Sequence, residues 1–152
     1  MSTSRREMIA RARDQAGELP GLRFLAGDFL TAGLPAEGYD FICSVTTVHH
    51  MDFTGALLRM RELLRPGGTL VIVGLAREQS AGEWAAFLAA APVMRVTKAV
   101  RRATTPEGMP VAEADMSYGE VRRAARELLP GVRYRRHVLR RYSLIWRKPL
   151  TR

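Results

Sequence analysis

The adjacent side chains His49 and His50 are the pair in this sequence best suited to move a proton near neutral pH, because an unperturbed imidazole titrates at about 6.5. One of them could accept a proton from an oxygen or nitrogen as that atom reacts; equally, the pair could simply shape a loop. Two further strings place polar groups at the ends of apolar stretches. Gly27-Asp28-Phe29 closes one of them and Ser44-Val45 closes the other. Asp28 could also be an ordinary turn or cap aspartate, and Ser44-Val45 a plain strand terminus. Cys43 is the only cysteine, so neither an intrachain disulfide nor a cysteine-based zinc site can form, and no metal is expected. Placed mid-strand, Cys43 is expected to be an inert core thiol.

The elements around these residues follow from apolar spacing. Met8, Ile9, Ala12 and Ala16 recur at helical intervals between Arg5 and Ala16, with Ser4 as a cap and Gly17 as a stop. Leu22 to Ala26 reads as a strand running into the Gly27-Asp28 loop. Tyr39 to Val45 does not alternate cleanly and reads as a parallel strand buried on both faces. Ala56, Leu57, Met60, Leu63 and Leu64 form one stripe of a helix starting at Phe53, which Pro66-Gly67-Gly68 should end. Thr69 to Val73 is the most strongly strand-forming run. Strand, helix and strand here make one crossover unit. Ser117 and Glu120 carry the capping-box pattern for a helix over 118–129, and two strands follow, 132–139 and 142–147. The stretch 77–116 is less regular, with a helix expected at 84–91, a break at Pro92 and a loop over 104–110. Trp84, Phe87, Leu88 and Met94 there could line a pocket or pack on the sheet. Tyr142 and Trp146 are read as core or edge packing. In an α/β sheet of this order, ligands sit beyond the carboxyl ends of the parallel strands, where Asp28, Ser44 and the histidines fall.

Six strings carry a resemblance: Glu7-Met-Ile-Ala-Arg-Ala-Arg13, Ala26-Gly-Asp-Phe29, Tyr39-Asp-Phe-Ile-Cys-Ser44, Val48-His-His50, Leu63-Leu-Arg-Pro-Gly-Gly-Thr-Leu70 and Arg141-Tyr-Ser-Leu-Ile-Trp-Arg-Lys-Pro149. In this order and at these separations the chain resembles, from residue 5 to 149, the class I S-adenosylmethionine-dependent methyltransferases that act mostly on small molecules. The resemblance implies a Rossmann-like sheet, partly parallel, with a carboxyl-terminal antiparallel hairpin, and S-adenosyl-L-methionine as cofactor. It implies that the Gly27-Asp28-Phe29 loop meets the adenine, Asp28 accepting from its amino group and Phe29 offering its backbone N–H and ring. Ser44 and Val45 match the strand end that meets the methionine portion. His49 matches a position that packs against the cofactor and could act as general base. The segment 77–116 is where the family varies its substrate-binding lid, so the acceptor is expected to be a small molecule bound there.

The pattern is broken in one respect. The family uses a glycine-rich loop after its first strand, because only glycine lets backbone N–H groups come so close to the cofactor. No two of the 13 glycines here stand two positions apart, and residues 1 to 6 hold no Asp or Glu to bind the ribose. The reading is therefore of a single methyltransferase domain over 1–152 that lacks strands one and two. Weak or absent cofactor binding is expected, along with an exposed sheet edge open to pairing with a second copy. A non-catalytic, partner-binding version of the same fold remains the alternative.

Composition bounds the remaining classes. A net charge of +9 raises the question of nucleic acid. However, only Lys98 and Lys148 of the 24 basic residues are lysine, and few aromatic residues stand among the arginines to form a stacking platform, so nucleic acid ranks last as a partner. No apolar run approaches the roughly 20 residues that span a bilayer, so no membrane partner is expected, and with one cysteine a cytoplasmic protein is expected.

Overall fold

A computed structural model describes residues 3–17, 19–77, 115–137 and 140–150. The expectations for residues 84–91 and 104–110, and for Trp84, Phe87, Leu88 and Met94, lie outside them. Two compact units are present, Met1–Gly33 and Leu34–Arg152.

The first unit holds helix α1, Thr3–Ala16, as the apolar spacing predicts. Gly17 ends it at φ +57°, a left-handed conformation natural to glycine, with its N–H donating to the Arg13 carbonyl. The expected strand at 22–26 does not form, and Leu22 and Leu25 are exposed. An extended run becomes a strand only when a neighbour supplies ladder hydrogen bonds. The sheet includes no partner for this segment among the described residues.

Among the described residues, the second unit is a four-stranded mixed sheet with two α-helices. In chain order it comprises β1 (Tyr39–Val45), a short 3-10 turn (Val48–His50), α2 (Phe53–Leu63), β2 (Leu64–Leu75), α3 (Tyr118–Leu128), β3 (Arg133–Arg136) and β4 (Arg141–Arg147). The strand order is β1-β2-β4-β3, with β1 and β2 parallel and β4 antiparallel to both β2 and β3. This is the partly parallel α/β sheet with a terminal hairpin that the sequence led us to expect. Pro66-Gly67-Gly68 does not separate helix from strand; it lies inside β2, where a register irregularity opposite Tyr39–Phe41 absorbs it. A Cβ on Gly68 would press on the Arg65 carbonyl and the Leu64 side chain, so the bulge requires glycine.

The core lies on one sheet face. Leu70, Ile72, Leu144 and Trp146 alternate inward from β2 and β4 and meet Ala56, Leu57, Met60 and Leu63 of α2 and Val121, Ala125 and Leu129 of α3. The Trp146 Nε1–H donates to the Pro130 carbonyl at 3.0 Å, and the Arg61 guanidinium donates to the Leu128 carbonyl at 2.9 Å, tying α2 to the end of α3. Tyr142 and Trp146 are buried, as their reading as packing residues predicts.

β1 differs from its expected two-sided burial. It is an edge strand, so Ile42 and Ser44 fall in register with the core residues Leu70 and Ile72, while Phe41, Cys43 and Val45 project from the other face. Phe41 is 57% and Val45 53% exposed. Cys43 is exposed too, which overturns its assignment as a core thiol; alternation along a strand covered on one side is the physical reason.

Candidate functional site

The chain turns sharply where β1 ends. Thr46 takes φ +50°, a left-handed conformation that a β-branched residue resists, and it is held there by its N–H donating to the Val73 carbonyl at 2.7 Å. The Thr47 hydroxyl donates to the Val45 carbonyl at 2.9 Å. This reversal throws Val48, His49 and His50 over the carboxyl end of β2. The Asp52 carboxylate then accepts the Gly55 N–H at 2.7 Å and starts α2.

These elements enclose a cavity of about 250 Å³ beyond the carboxyl ends of β1 and β2. Val48 and His49 come from the turn, Asp52 and Phe53 from the start of α2 and Leu75 from the end of β2. Asp115, Met116 and Val121 come from the approach to α3 and its first turns, and Tyr142 from the start of β4. α3 is anchored by the predicted capping box. The Ser117 hydroxyl accepts the Glu120 N–H, and the Glu120 carboxylate accepts the Ser117 N–H and hydroxyl at 2.7 Å each. Those bonds hold the Glu120 carboxyl below the usual carboxylate range.

His49 is half-buried, its ring 4.0 Å from that of His50. Burial, then the neighbouring His50, lowers its pKa from the ordinary 6.5, while the Asp115 carboxylate opposes the shift. The imidazole is therefore neutral at pH 7. Its Nδ1 is buried without a hydrogen-bond partner, leaving one ring nitrogen uncommitted in the cavity wall residue best able to handle a proton. Burial, reinforced by Tyr134 stacked 6.1 Å away, pushes the Tyr142 phenol far above its usual range, so it stays protonated. The Tyr142 ring lies across Gly74, where a Cβ would overlap its hydroxyl and ring carbons.

Of the residues singled out in the sequence, His49 lines the cavity. Ser44 and Val45 end β1 four to five residues before it but are not in the cavity wall. Gly27, Asp28 and Phe29 belong to the first unit. There Asp28 behaves as a turn aspartate, its Oδ1 accepting the Leu30 N–H at 2.9 Å and its carbonyl accepting the Ala32 N–H at 2.8 Å. Asp28 is nonetheless exposed, so its carboxylate keeps acceptor sites open. Sequence reasoning missed Asp52, Asp115 and Tyr142. Asp52 carried a signal as an N-cap residue just ahead of Phe53, and Asp115 stands two residues before the Ser117 cap. Nothing in the local pattern around Tyr142 marked a cavity wall.

A methyltransferase domain family matches residues 3–72. An uncharacterized methyltransferase of Mycobacterium bovis (strain ATCC BAA-935 / AF2122/97) is 32% identical over 147 residues, covering 94% of this chain and 72% of that protein. The chain thus belongs to the methyltransferase domain family. The fold agrees. The PH0226 protein from Pyrococcus horikoshii OT3 superposes with a TM-score of 0.62 at 12% identity, over 93% of this chain and 67% of that one. A SAM-dependent methyltransferase from Aquifex aeolicus gives 0.55 at 18% identity, over 93% and 63%. Among the described residues, no helix is long and apolar enough to cross a membrane.

S-adenosylmethionine, the cofactor that the sequence resemblance implies, finds a partial match in the residues present. Asp28 offers open carboxylate acceptor sites suited to an adenine amino group. A glycine cradle is missing from the sequence of residues 1–152, and a Cβ built on Gly27 meets nothing within 4 Å, so that glycine is not needed for a close approach within this chain.

Proposed function

We propose that this chain binds S-adenosylmethionine and a small-molecule acceptor at the carboxyl ends of β1 and β2 and serves methyl transfer between them, with cofactor affinity reduced by the lack of a glycine-rich loop. The observation that carries this reading is the cavity of about 250 Å³ at that end of the sheet, with His49 in its wall. Bound S-adenosylmethionine supplies a methyl group already activated as a sulfonium.

In this reading Asp28 accepts from the adenine amino group, with Gly27 and Phe29 completing that loop, and the Ser44-Val45 strand end lies along the methionine portion. His49, neutral and with an uncommitted nitrogen, takes the proton that the acceptor releases. Alignment of the acceptor supplies the larger share of the acceleration, since well-oriented reactants gain on the order of 7 to 11 kcal/mol. The whole of 1–152 acts as one methyltransferase domain, with 77–116 as its variable substrate segment. Calorimetric titration with S-adenosylhomocysteine tests the cofactor reading. Weak binding that Asp28→Asn reduces further is expected. Binding that ignores Asp28→Asn removes the adenine assignment, and micromolar binding removes the claim of reduced affinity.

One observation favours a second reading, a non-catalytic domain that pairs with its own copy. β1 is an edge strand with Phe41 and Val45 exposed, the kind of edge that recruits another strand. A monomer by sedimentation at high protein concentration would exclude it.

A further inference from the structure

Among the described residues, the charge lining the cavity is opposite in sign to the charge of the protein. The chain carries +9 overall, yet the charged side chains among the described lining residues are two carboxylates, Asp52 and Asp115, with no arginine or lysine. The other two polar rings, His49 and Tyr142, are neutral at pH 7 for the reasons given above. The amino end of α2 adds about half a positive charge, but the Asp52 carboxylate is bonded to it through the Gly55 N–H and more than offsets it. Asp115 has no such neighbour in the wall, and its field already reaches His49. Arg77 and Arg123 act on Glu120, and none of the three is in the cavity lining.

Apart from Thr54, the rest of the described wall is apolar: Val48, Met51, Phe53, Leu75, Met116 and Val121. An anionic acceptor entering there would lose its water beside two carboxylates and meet no cation among the described lining residues, which is costly. A cationic head group meets the reverse situation. It gains a carboxylate at Asp115, while an apolar body fills the remaining space against Val48, Phe53, Leu75, Met116 and Val121. We infer that the acceptor taken by this cavity is an amine, a basic nitrogen on a small apolar body. The inference rests on the proposed location of the acceptor, but it uses only side chains of this chain and leaves aside how the cofactor is held.

The test uses the full chain without cofactor and three probes of one shape and different charge: benzylamine, benzyl alcohol and benzoate. Amide NMR titrations follow the N–H groups of Val48, His49, Asp115 and Val121. Benzylamine is expected to bind most tightly and benzoate least. Asp115→Asn should weaken benzylamine by about 1.4-fold to fivefold, the range for an ion pair at an exposed carboxylate, and leave benzyl alcohol unchanged. Added salt should act in the same direction on the wild-type chain. A melting curve of Asp115→Asn confirms that the variant folds. Benzyl alcohol or benzoate binding as tightly as benzylamine would overturn the inference, as would no shift at these residues or no effect of Asp115→Asn. Because no cofactor is present, a failure of S-adenosylhomocysteine to bind leaves this result standing. A preference for benzoate alongside intact cofactor binding would remove only the amine assignment.

Discussion

Replacing Gly74 with alanine probes the packing that forms one wall of the cavity. Gly74 pairs with Tyr142 across β2 and β4, and a Cβ at position 74 would overlap the Tyr142 hydroxyl, Cζ and Cε1. The ring cannot simply swing aside. Tyr142 is 1% exposed and stacked against Tyr134 at 6.1 Å, so either the ring leaves its rotamer or the two strands move apart. Overpacking of this kind costs about 1 to 3 kcal/mol. For a chain of this length each kcal/mol moves the midpoint by about 2 to 4 °C, so Gly74→Ala should melt roughly 2 to 12 °C below wild type by circular dichroism. A double-mutant cycle isolates the cause. In a Tyr142→Leu background the hydroxyl and ring atoms that collide are gone, and the added methyl should cost close to nothing. The coupling energy should therefore account for most of the single-variant loss. Additive effects of the two substitutions, or an unchanged melt for Gly74→Ala, would refute the clash.

Four further outcomes follow from the same geometry. The His49 ring should titrate below 6.5 by NMR, with His50→Ala raising the midpoint and Asp115→Asn lowering it. Since the folded value lies below the unfolded one, the stability linked to His49 should be complete above pH 6.5 and decline as the pH falls through the folded midpoint; unaltered titration in both variants would contradict the assignment. Ser117→Ala should destabilise the fold by about 0.5 to 2 kcal/mol in urea, as loss of a helix cap does. Glu120, also held below its ordinary value, adds stability that is present above the unfolded carboxyl pKa and lost on acidification, so Glu120→Gln should flatten the acid side of the stability profile. Thr46→Gly relieves a β-branched residue held at φ +50° and should raise stability by about 1 kcal/mol, the low end of such strain; a lower urea midpoint would show that Thr46 is not strained.

The second unit was largely legible because its signals are local. The Ala56-Leu57-Met60-Leu63 stripe, the Ser117-Glu120 box and the Thr69–Val73 run each define an element without reference to the rest of the chain, and each is present. The errors arise where structure depends on a neighbour. Leu22–Ala26 has the composition of a strand but no ladder partner, and the apolar face of β1 reads as buried until its place at the sheet edge is known. The site divides along the same line. His49 could be found as a titratable group after a strand. Tyr142 could not, because its position over Gly74 joins residues 68 apart in sequence. Asp115 gained meaning only when the approach to α3 closed over the β1 turn.

The most direct measurement is an amide chemical-shift map of the chain on addition of S-adenosylhomocysteine at millimolar concentration, which detects even weak occupancy. Shifts are expected at Asp28 and Phe29 and from Ser44 to His49. Shifts confined to the opposite end of the sheet, around Glu37, Trp146 and Lys148, or no shifts at all, would contradict the cofactor reading.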